Sequence, residues 1–226
     1  MAVTGAKYSP EAPRLCGLCP RLVQFRELNQ QKSPDWFNGA VPSFGDERGR
    51  LLIVGLAPGL NGANRTGRPF TGDYAGDLLY ATLLKFGFAK GRYDARPDDG
   101  LQLVDCIISN SVRCVPPQNK PTPSEIATCG GYLRARVEAL PNISVMIALG
   151  RIAHDAALTA LGERKSQFRF SHGAHHVLRD DLSLFDSFHC SRYNTNTRRL
   201  TPEMFHAVFA KARAALELAT VTRKKR

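Results

Sequence analysis

The chain has 226 residues, of which 43% are hydrophobic, and this is enough to bury the core of one large α/β domain. Its formal net charge of +11 favours a polyanionic partner such as nucleic acid, although many basic proteins bind none. The sequence has no run of about 18 apolar residues to span a bilayer and no signal-peptide pattern at its N-terminus. A cytoplasmic protein without membrane association is therefore expected.

The predicted elements alternate between strands and helices along the chain. A CxxC turn within segment 14–30 is followed by an amphipathic helical stretch. Four short apolar runs are typical of buried parallel strands, and segments with helical periodicity separate them. The predicted strands cover residues 51–56, 103–109, 145–150 and 184–189, and two predicted helices cover residues 73–87 and 151–162. Two further helices are predicted to begin at Thr122 and Thr201, because each threonine can cap a helix whose first residue is a proline.

This alternation predicts a three-layer α/β/α sandwich around a central, mostly parallel four-stranded sheet. Residues 1–226 are expected to form one domain, with a disordered basic tail from about residue 219 to 226. Ligands of such sheets bind beyond the carboxyl ends of the strands. A glycine-rich loop and two polar segments, SNSVRC and HCSRYN, follow three of the predicted strands there.

Six cysteines without a secretory signal favour metal or redox chemistry over disulfides. Two of them form the CxxC pair and two others are separated by fourteen residues, so that four thiolates can surround one metal centre. The four candidate ligands are Cys16, Cys19, Cys114 and Cys129. A Cys₄ set suits zinc and iron–sulfur clusters, and the unequal spacing favours the cluster. A redox-active CxxC and ordinary buried thiols are the alternatives. Cys106 and Cys190 are interpreted as packing residues.

The glycine-rich loop GLAPGLNGANRTGRPFTGD covers residues 55–73. It lacks the GK[ST] ending of a nucleotide phosphate loop and the GxGxxG pattern of a dinucleotide site. Its glycines let the backbone approach a flat ligand closely, and Phe70 is available to stack on that ligand, which suits a nucleobase. The alternatives are that Phe70 belongs to the core and that Asp73 is a helix N-cap, a role compatible with chemistry.

Three segments together resemble the motifs of the uracil-DNA glycosylase superfamily, and most closely those of its iron–sulfur family 5 enzymes. They are the glycine-rich loop, SNSVRCVPPQNKPTPSEIATC and HCSRYNTNTRRLT, and the resemblance extends from residue 16 to about residue 216. Family 4 enzymes carry an acidic residue in the first motif, where this chain has Leu56. In family 5 the carboxylate is associated with the aspartate of the GRxFxGD segment, which is Asp73 here. The residue after His189 is Cys190, where many relatives have proline.

The resemblance implies a DNA glycosylase that excises uracil, and other deaminated bases such as hypoxanthine, during base excision repair. It implies that a 4Fe–4S cluster, or alternatively zinc, is bound by the four cysteines. Asp73 would stabilise the sugar cation or orient the attacking water, and His189 would donate a hydrogen bond to the leaving base. Asn110 would read the pairing edge of the base, although an asparagine at the end of a strand is commonly a turn residue. Candidate base contacts are Leu56, Ala57, Gly59, Phe70 and Asn110, and candidate DNA contacts are Arg68, Ser191, Arg192, Tyr193 and Asn194.

The expected partner is single- or double-stranded DNA, bound by a monomer associated with the nucleoid. The terminal loop with Arg192, Arg198 and Arg199 supplies positive charge, and Tyr193 is the candidate wedge. A second hypothesis is an iron–sulfur protein that recognises uracil or damaged DNA without cutting it. A third is an enzyme that acts on free nucleotides or nucleosides.

Overall fold

The structure is a computed structural model that describes residues 8–224, with side chains described as far as residue 218. The helices are α1 (Pro20–Lys32), α2 (Ala63–Thr66), α3 (Tyr74–Lys85), α4 (Pro123–Glu138), α5 (Arg151–Leu161), α6 (Arg192–Asn196) and α7 (Pro202–Lys224). The strands are β1 (Phe44–Gly45), β2 (Leu51–Gly55), β3 (Ala89–Lys90), β4 (Gln102–Leu103), β5 (Cys106–Asn110), β6 (Val145–Leu149), β7 (His175–Arg179) and β8 (Leu182–Ser187).

The main sheet has six strands in the order β1-β5-β2-β6-β8-β7. The four inner strands run parallel, which confirms the mostly parallel centre, and β1 and β7 pair antiparallel at the two edges. The predicted count of four strands is therefore corrected to six. Both missed strands lack a continuous apolar run, since β1 has two residues and β7 alternates between exposed and half-buried positions. β3 and β4 form a separate small ribbon.

Helices cover both faces of the sheet, so the three-layer α/β/α class is confirmed. Along β2, Leu51 and Ile53 pack in one hydrophobic cluster together with residues of α3 and α7. Their neighbours Leu52 and Val54 pack in a second cluster with residues of α4 and α5. A strand buried on both faces needs no alternation of polar and apolar residues, which explains the apolar run at this position.

The predicted helix starts at Thr122 and Thr201 are confirmed. Thr122 and Glu125 form a reciprocal capping box at the start of α4. The Met204 N–H donates to Thr201 Oγ1 over 3.2 Å at the start of α7. The backbone of α7 continues to Lys224, but the side chains from residue 219 onward lie outside the described residues, so the prediction of a disordered tail stays untested.

Within residues 8–224, no helix combines the length and the apolar character that crossing a bilayer requires.

Candidate active site

A cavity of about 610 Å³ lies where β2, β5 and β8 end. Loops from all three motif segments line it, as expected for the carboxyl edge of a parallel sheet. Nine of the predicted site residues meet there: Leu56, Ala57, Gly59, Phe70, Asp73, Asn110, His189, Ser191 and Arg192. The sheet therefore brings together side chains that are more than 130 positions apart in the sequence.

Asp73 is the N-cap of α3 and also lines the cavity. Its Oδ1 accepts a hydrogen bond from the Gly76 N–H over 3.4 Å. Burial raises the pKa of Asp73, while main-chain hydrogen bonds from Gly76 and Ala75 oppose that shift. The capping interpretation is confirmed, and the same carboxyl group faces the space in which a ligand would sit.

Gly59 and Gly62 leave room for this carboxyl group. A Cβ atom on Gly59 would lie 2.7 Å from Asp73 Oδ2, and one on Gly62 would approach the same oxygen even more closely. The sequence suggested that the glycines of this loop admit a flat ligand. The structure adds that these two glycines admit the Asp73 side chain.

Phe70 packs in the core with 8% of its surface exposed, and its ring also lines the cavity. Its ring centroid lies 5.9 Å from that of His189, with 28° between the planes. Its main chain has a φ of 53°, in the left-handed region that phenylalanine rarely adopts. The Tyr93 hydroxyl donates to the Phe70 carbonyl over 3.3 Å and helps to hold this conformation.

Asn110 ends β5 opposite Gly55 of β2. The side chain is 2% exposed, and no described residue forms a hydrogen bond with its Oδ1. A Cβ atom on Gly55 would collide with this oxygen, so glycine is needed at that position. A buried acceptor without a hydrogen bond costs about 1–3 kcal/mol. The Oδ1 atom of Asn110 at this cavity is therefore a site at which a ligand N–H can donate.

His189 lies two residues beyond the end of β8. Burial lowers its pKa to about 4, so the ring is neutral at pH 7 and carries one N–H donor. The Asn194 side-chain amide donates to the His189 carbonyl over 2.8 Å. The predicted DNA contact Asn194 thus supports the main chain of the histidine and is absent from the cavity lining.

The rim of the cavity is formed by the start of α6. Ser191 caps this helix by accepting from the Asn194 N–H over 3.4 Å. The Arg192 guanidinium carbon lies 5.3 Å from the centroid of the Tyr74 ring across the pocket mouth. Tyr193 is 71% exposed, outside the cavity lining, and is therefore free to meet a partner.

Arg68, which the sequence predicts as a DNA contact, is buried and pairs within the protein. The side chain is 4% exposed, and its two terminal nitrogens donate to the Asp99 carboxylate over 2.8 and 2.7 Å. Its Nε donates to Thr71 Oγ1 over 2.7 Å. The hydrogen bonds of Arg68 hold the pKa of Asp99 well below its usual range. This buried pair anchors the glycine-rich loop.

Sequence reasoning missed three polar side chains of the cavity, namely Asn61, Tyr74 and Asn119. Asn61 and Tyr74 lie within or next to the glycine-rich loop, so proximity to that motif was the available signal. Asn119 lies within the second motif segment, at the end of a short 3₁₀ turn, and has a φ of 57°. An asparagine in the left-handed region is common in turns, and nothing in the sequence marks it as lining a pocket.

The four candidate metal ligands line one small cavity of about 20 Å³ between α1, α4 and the segment after β5. The Arg113 N–H donates to Cys129 Sγ over 3.2 Å, and Arg26 Nη1 lies 3.9 Å from Cys114 Sγ. Hydrogen bonds and positive charge directed at sulfur suit bound thiolates, so this donor set fits a Cys₄ metal centre. Cys106 and Cys190 are fully buried elsewhere, in the core.

A second group of potential ligands is formed by His154, His176 and Asp186. His154 Nδ1 lies 2.7 Å from Asp186 Oδ1, and its Nε2 lies 2.9 Å from the Phe168 carbonyl. A carboxylate and a carbonyl both accept, so this arrangement favours the imidazolium form of His154, in which both ring nitrogens donate. Burial lowers the pKa of His154, but the Asp186 hydrogen bond and charge outweigh it and raise the pKa. These atoms form a saturated hydrogen-bond network.

Comparison with known proteins identifies the family of this chain. The family model of the uracil DNA glycosylase superfamily matches residues 42–213. A type-5 uracil-DNA glycosylase of Thermus thermophilus is 45% identical over 204 residues, which cover 88% of this chain and 92% of the relative. Type-5 enzymes of Mycobacterium bovis and Pyrobaculum aerophilum are 40% and 37% identical, each over 88% of this chain and over 77% and 88% of the relative. The chain therefore belongs to the uracil DNA glycosylase superfamily and, within it, to the type-5 family.

Proposed function

We propose that the protein excises uracil from DNA by hydrolysing the N-glycosidic bond of a flipped nucleotide, as the first step of base excision repair. The observation that carries this proposal is that a carboxyl group, a neutral imidazole, a phenyl ring and an unpaired amide oxygen line the same cavity. The type-5 relatives are named for the same activity.

Base recognition is assigned to Asn110 and Phe70. Uracil presents an N–H donor on its pairing edge, and the free Oδ1 of Asn110 is an acceptor that this donor satisfies. The Phe70 ring offers a face for stacking, worth about 1–3 kcal/mol per base in comparable contacts. Together they hold an extrahelical base in one orientation.

His189 is assigned to the leaving base. Breaking the glycosidic bond places negative charge on the uracil oxygens, and a neutral imidazole donates a hydrogen bond to that charge without losing its proton. One such preorganised donor contributes about 3–4 kcal/mol to the transition state.

Asp73 is assigned to the sugar. The C1′ atom becomes cationic as the base departs, and an adjacent carboxylate stabilises that cation or orients the attacking water. The carboxylate must be ionised for either role. Its position is fixed on one side by the start of α3 and on the other by the two glycines that make room for it.

DNA binding is assigned to the rim of the cavity. Arg192 lines the pocket, and Arg198 and Arg199 are exposed a few residues further along the chain. Tyr193 projects into solvent as the wedge that fills the gap left by the flipped base. The proposed partner is single- or double-stranded DNA, bound by a monomer.

The four cysteines are proposed to hold a 4Fe–4S cluster, with zinc as the alternative. The cluster would bind through Cys16, Cys19, Cys114 and Cys129, and it would supply structural cross-linking of α1, α4 and the segment that carries Asn110. Iron, sulfide and zinc analysis of the purified protein, with a visible absorption spectrum, distinguishes the two metals. The substitution Cys129→Ser is expected to lower the metal content of the purified protein.

The proposed substrate range includes hypoxanthine beside uracil. Leu56, in place of an acidic residue, gives the cavity an apolar wall, and the volume of about 610 Å³ exceeds what one pyrimidine needs. Excision is measured on oligonucleotides that carry uracil, hypoxanthine, xanthine or an etheno adduct, with free deoxyuridine as a separate substrate.

Release of uracil from the oligonucleotide but not from deoxyuridine is the expected result. Binding of uracil-containing DNA without release would favour a recognition protein, and release from deoxyuridine would favour a nucleoside enzyme. Either outcome contradicts the proposed function.

A further inference from the structure

His172 lies outside the three motif segments, yet it contacts the main chain that leads into the cavity. The Phe188 N–H donates to His172 Nδ1 over 3.1 Å. The two rings are stacked, with centroids 5.0 Å apart and 17° between their planes. Phe188 is the residue between the end of β8 and His189, so this hydrogen bond holds the peptide immediately before the candidate catalytic histidine.

The His172 ring also lies near α7, because the Met204 main chain and the charge of Lys211 both act on its pKa. Because Nδ1 accepts from Phe188, the neutral ring carries its proton on Nε2. Burial and the charge of Lys211 lower the pKa of His172 and favour this neutral form, which is the form able to accept.

The loop that carries His172 is attached to the same strand that it supports. The Gly173 N–H donates to the Asp186 carbonyl over 2.8 Å, and the Ser171 N–H donates to Asp186 Oδ2 over 3.3 Å. His172 is thus fixed relative to β8 by contacts on both sides of it in the sequence. A ring held in this way restrains the direction in which the chain leaves the strand.

We propose that His172 is a positioning residue that, through its Nδ1 acceptor, orients the Phe188 peptide and thereby the His189 ring in the base pocket. This inference rests on the proposed excision of uracil. It differs from simple packing, because packing needs the ring face and positioning needs the acceptor atom.

Two substitutions separate the acceptor from the ring. His172→Asn keeps an acceptor near the place of Nδ1 and loses the ring, while His172→Phe keeps a stacking ring and loses the acceptor. Single-turnover excision of uracil is measured at saturating enzyme, and the Kd for DNA is measured separately. We expect His172→Phe to lower the saturated rate about tenfold or more with little change in Kd, and His172→Asn to remain within about threefold of the unsubstituted protein.

His175→Phe is the matched control. Its ring stacks on Phe185 with centroids 4.3 Å apart, and it is exposed on β7 away from the cavity lining. It is expected to leave the rate unchanged. Thermal unfolding of every variant shows whether the fold is retained.

A readout that does not depend on excision is the NMR titration of the His189 ring. His172→Phe is expected to change the His189 ring signals and their titration, and His172→Asn is expected to leave them unchanged. If the unsubstituted protein releases no uracil, the proposed function fails, and this titration alone decides the role of His172.

Three results would overturn the inference: an unchanged saturated rate in His172→Phe, an equal loss in His172→Asn, or unchanged His189 signals in both variants.

Discussion

The Asp73 carboxyl group occupies the space that a side chain on Gly62 would need. We therefore expect Gly62→Ala to displace this carboxyl group and to lower the excision rate by about 100-fold, because a shift of about 1 Å has that effect on positioned groups. Single-turnover assays with separate measurement of DNA affinity check this. Gly130→Ala is the control, since its Cβ would meet no atom within 4 Å. A Gly62→Ala variant as fast as the control would show that Asp73 is not needed where it lies.

Asp73→Ala is expected to leave DNA binding largely intact and to lower excision by orders of magnitude. The pH dependence follows from the ionised form being the active one. Burial raises the pKa of Asp73, so the rate of the unsubstituted protein should rise with pH through a value above the usual aspartate pKa of about 3.9. Measurement of rate against pH tests this, with Asp77→Asn as a neighbouring control that should move the acid limb slightly to lower pH, because the Asp77 charge adds to the shift. Near-normal turnover by Asp73→Ala would remove this residue from the mechanism.

His189→Ala is expected to slow uracil excision by about 10²–10³-fold, which is the effect of deleting one preorganised donor. The ring is already neutral above its pKa of about 4. The excision rate should therefore show no step with a pKa near that of free histidine, about 6.5. A step near that pH that disappears in His189→Ala would contradict the neutral assignment. Rates of His189→Ala that are unchanged from those of the unsubstituted protein on every base would exclude a role in catalysis.

Arg68 and Asp99 are expected to act on stability. Asp99→Asn breaks a pair whose side chains are 4% and 0% exposed, and breaking buried pairs costs about 3–5 kcal/mol in the free energy of unfolding. Because the pKa of Asp99 is lowered by Arg68, the pair stabilises the fold above the unfolded aspartate pKa of about 3.9, and this stabilisation is lost as the pH falls. Denaturant unfolding at several pH values measures both effects.

The salt dependence of DNA affinity distinguishes a buried arginine such as Arg68 from one that contacts a phosphate. Arg68→Gln, where it remains folded, should leave the salt dependence of DNA affinity unchanged, whereas Arg192→Ala should reduce its slope by about one if Arg192 contacts a phosphate. A slope reduced by about one in Arg68→Gln would identify Arg68 as a phosphate contact.

The His154 and Asp186 pair gives a pH dependence of the opposite sign. The pKa of His154 is raised in the folded protein, so its stabilising contribution is complete below the unfolded histidine pKa of about 6.5 and is lost as the pH rises through the folded pKa. The free energy of unfolding should therefore decline across that interval, as denaturant titrations would show. In His154→Gln this decline should disappear. The accompanying loss of stability should be smaller than the about 3–5 kcal/mol of a fully broken buried pair, because Asp186 keeps its contacts with His176 and the Ser171 N–H. A decline that persists in the variant would assign it to another group.

The central strands and the three motif loops were predictable from the sequence because their signals are local. Strands β2 and β6 are apolar throughout, since both of their faces are covered by helices. Strand β7 has no continuous apolar run, because it is an edge strand whose exposed positions are His175, Val177 and Arg179. Its pairing with β8 is a tertiary contact that leaves no apolar run.

The burial of Arg68 and its pairing with Asp99 were not predictable from the sequence, because this pairing is also a tertiary contact. Its position beside the pocket motif suggested a DNA contact, but its partner Asp99 lies 31 residues further along the chain. Asn110 and His189 were identified only through the spacing of their motifs. Their burial and the missing partner of Asn110 Oδ1 are properties of the folded chain, which the sequence does not display.

The left-handed main chain at Phe70 determines when the stacking face for the base is formed. Such a conformation costs about 1–3 kcal/mol, and here the surrounding protein maintains it through Tyr93 and the anchored loop. The stacking face is consequently preorganised when the chain folds, before any nucleotide arrives. An incoming base therefore meets a stacking face that is already formed, and the main-chain strain at Phe70 adds nothing to the cost of binding it.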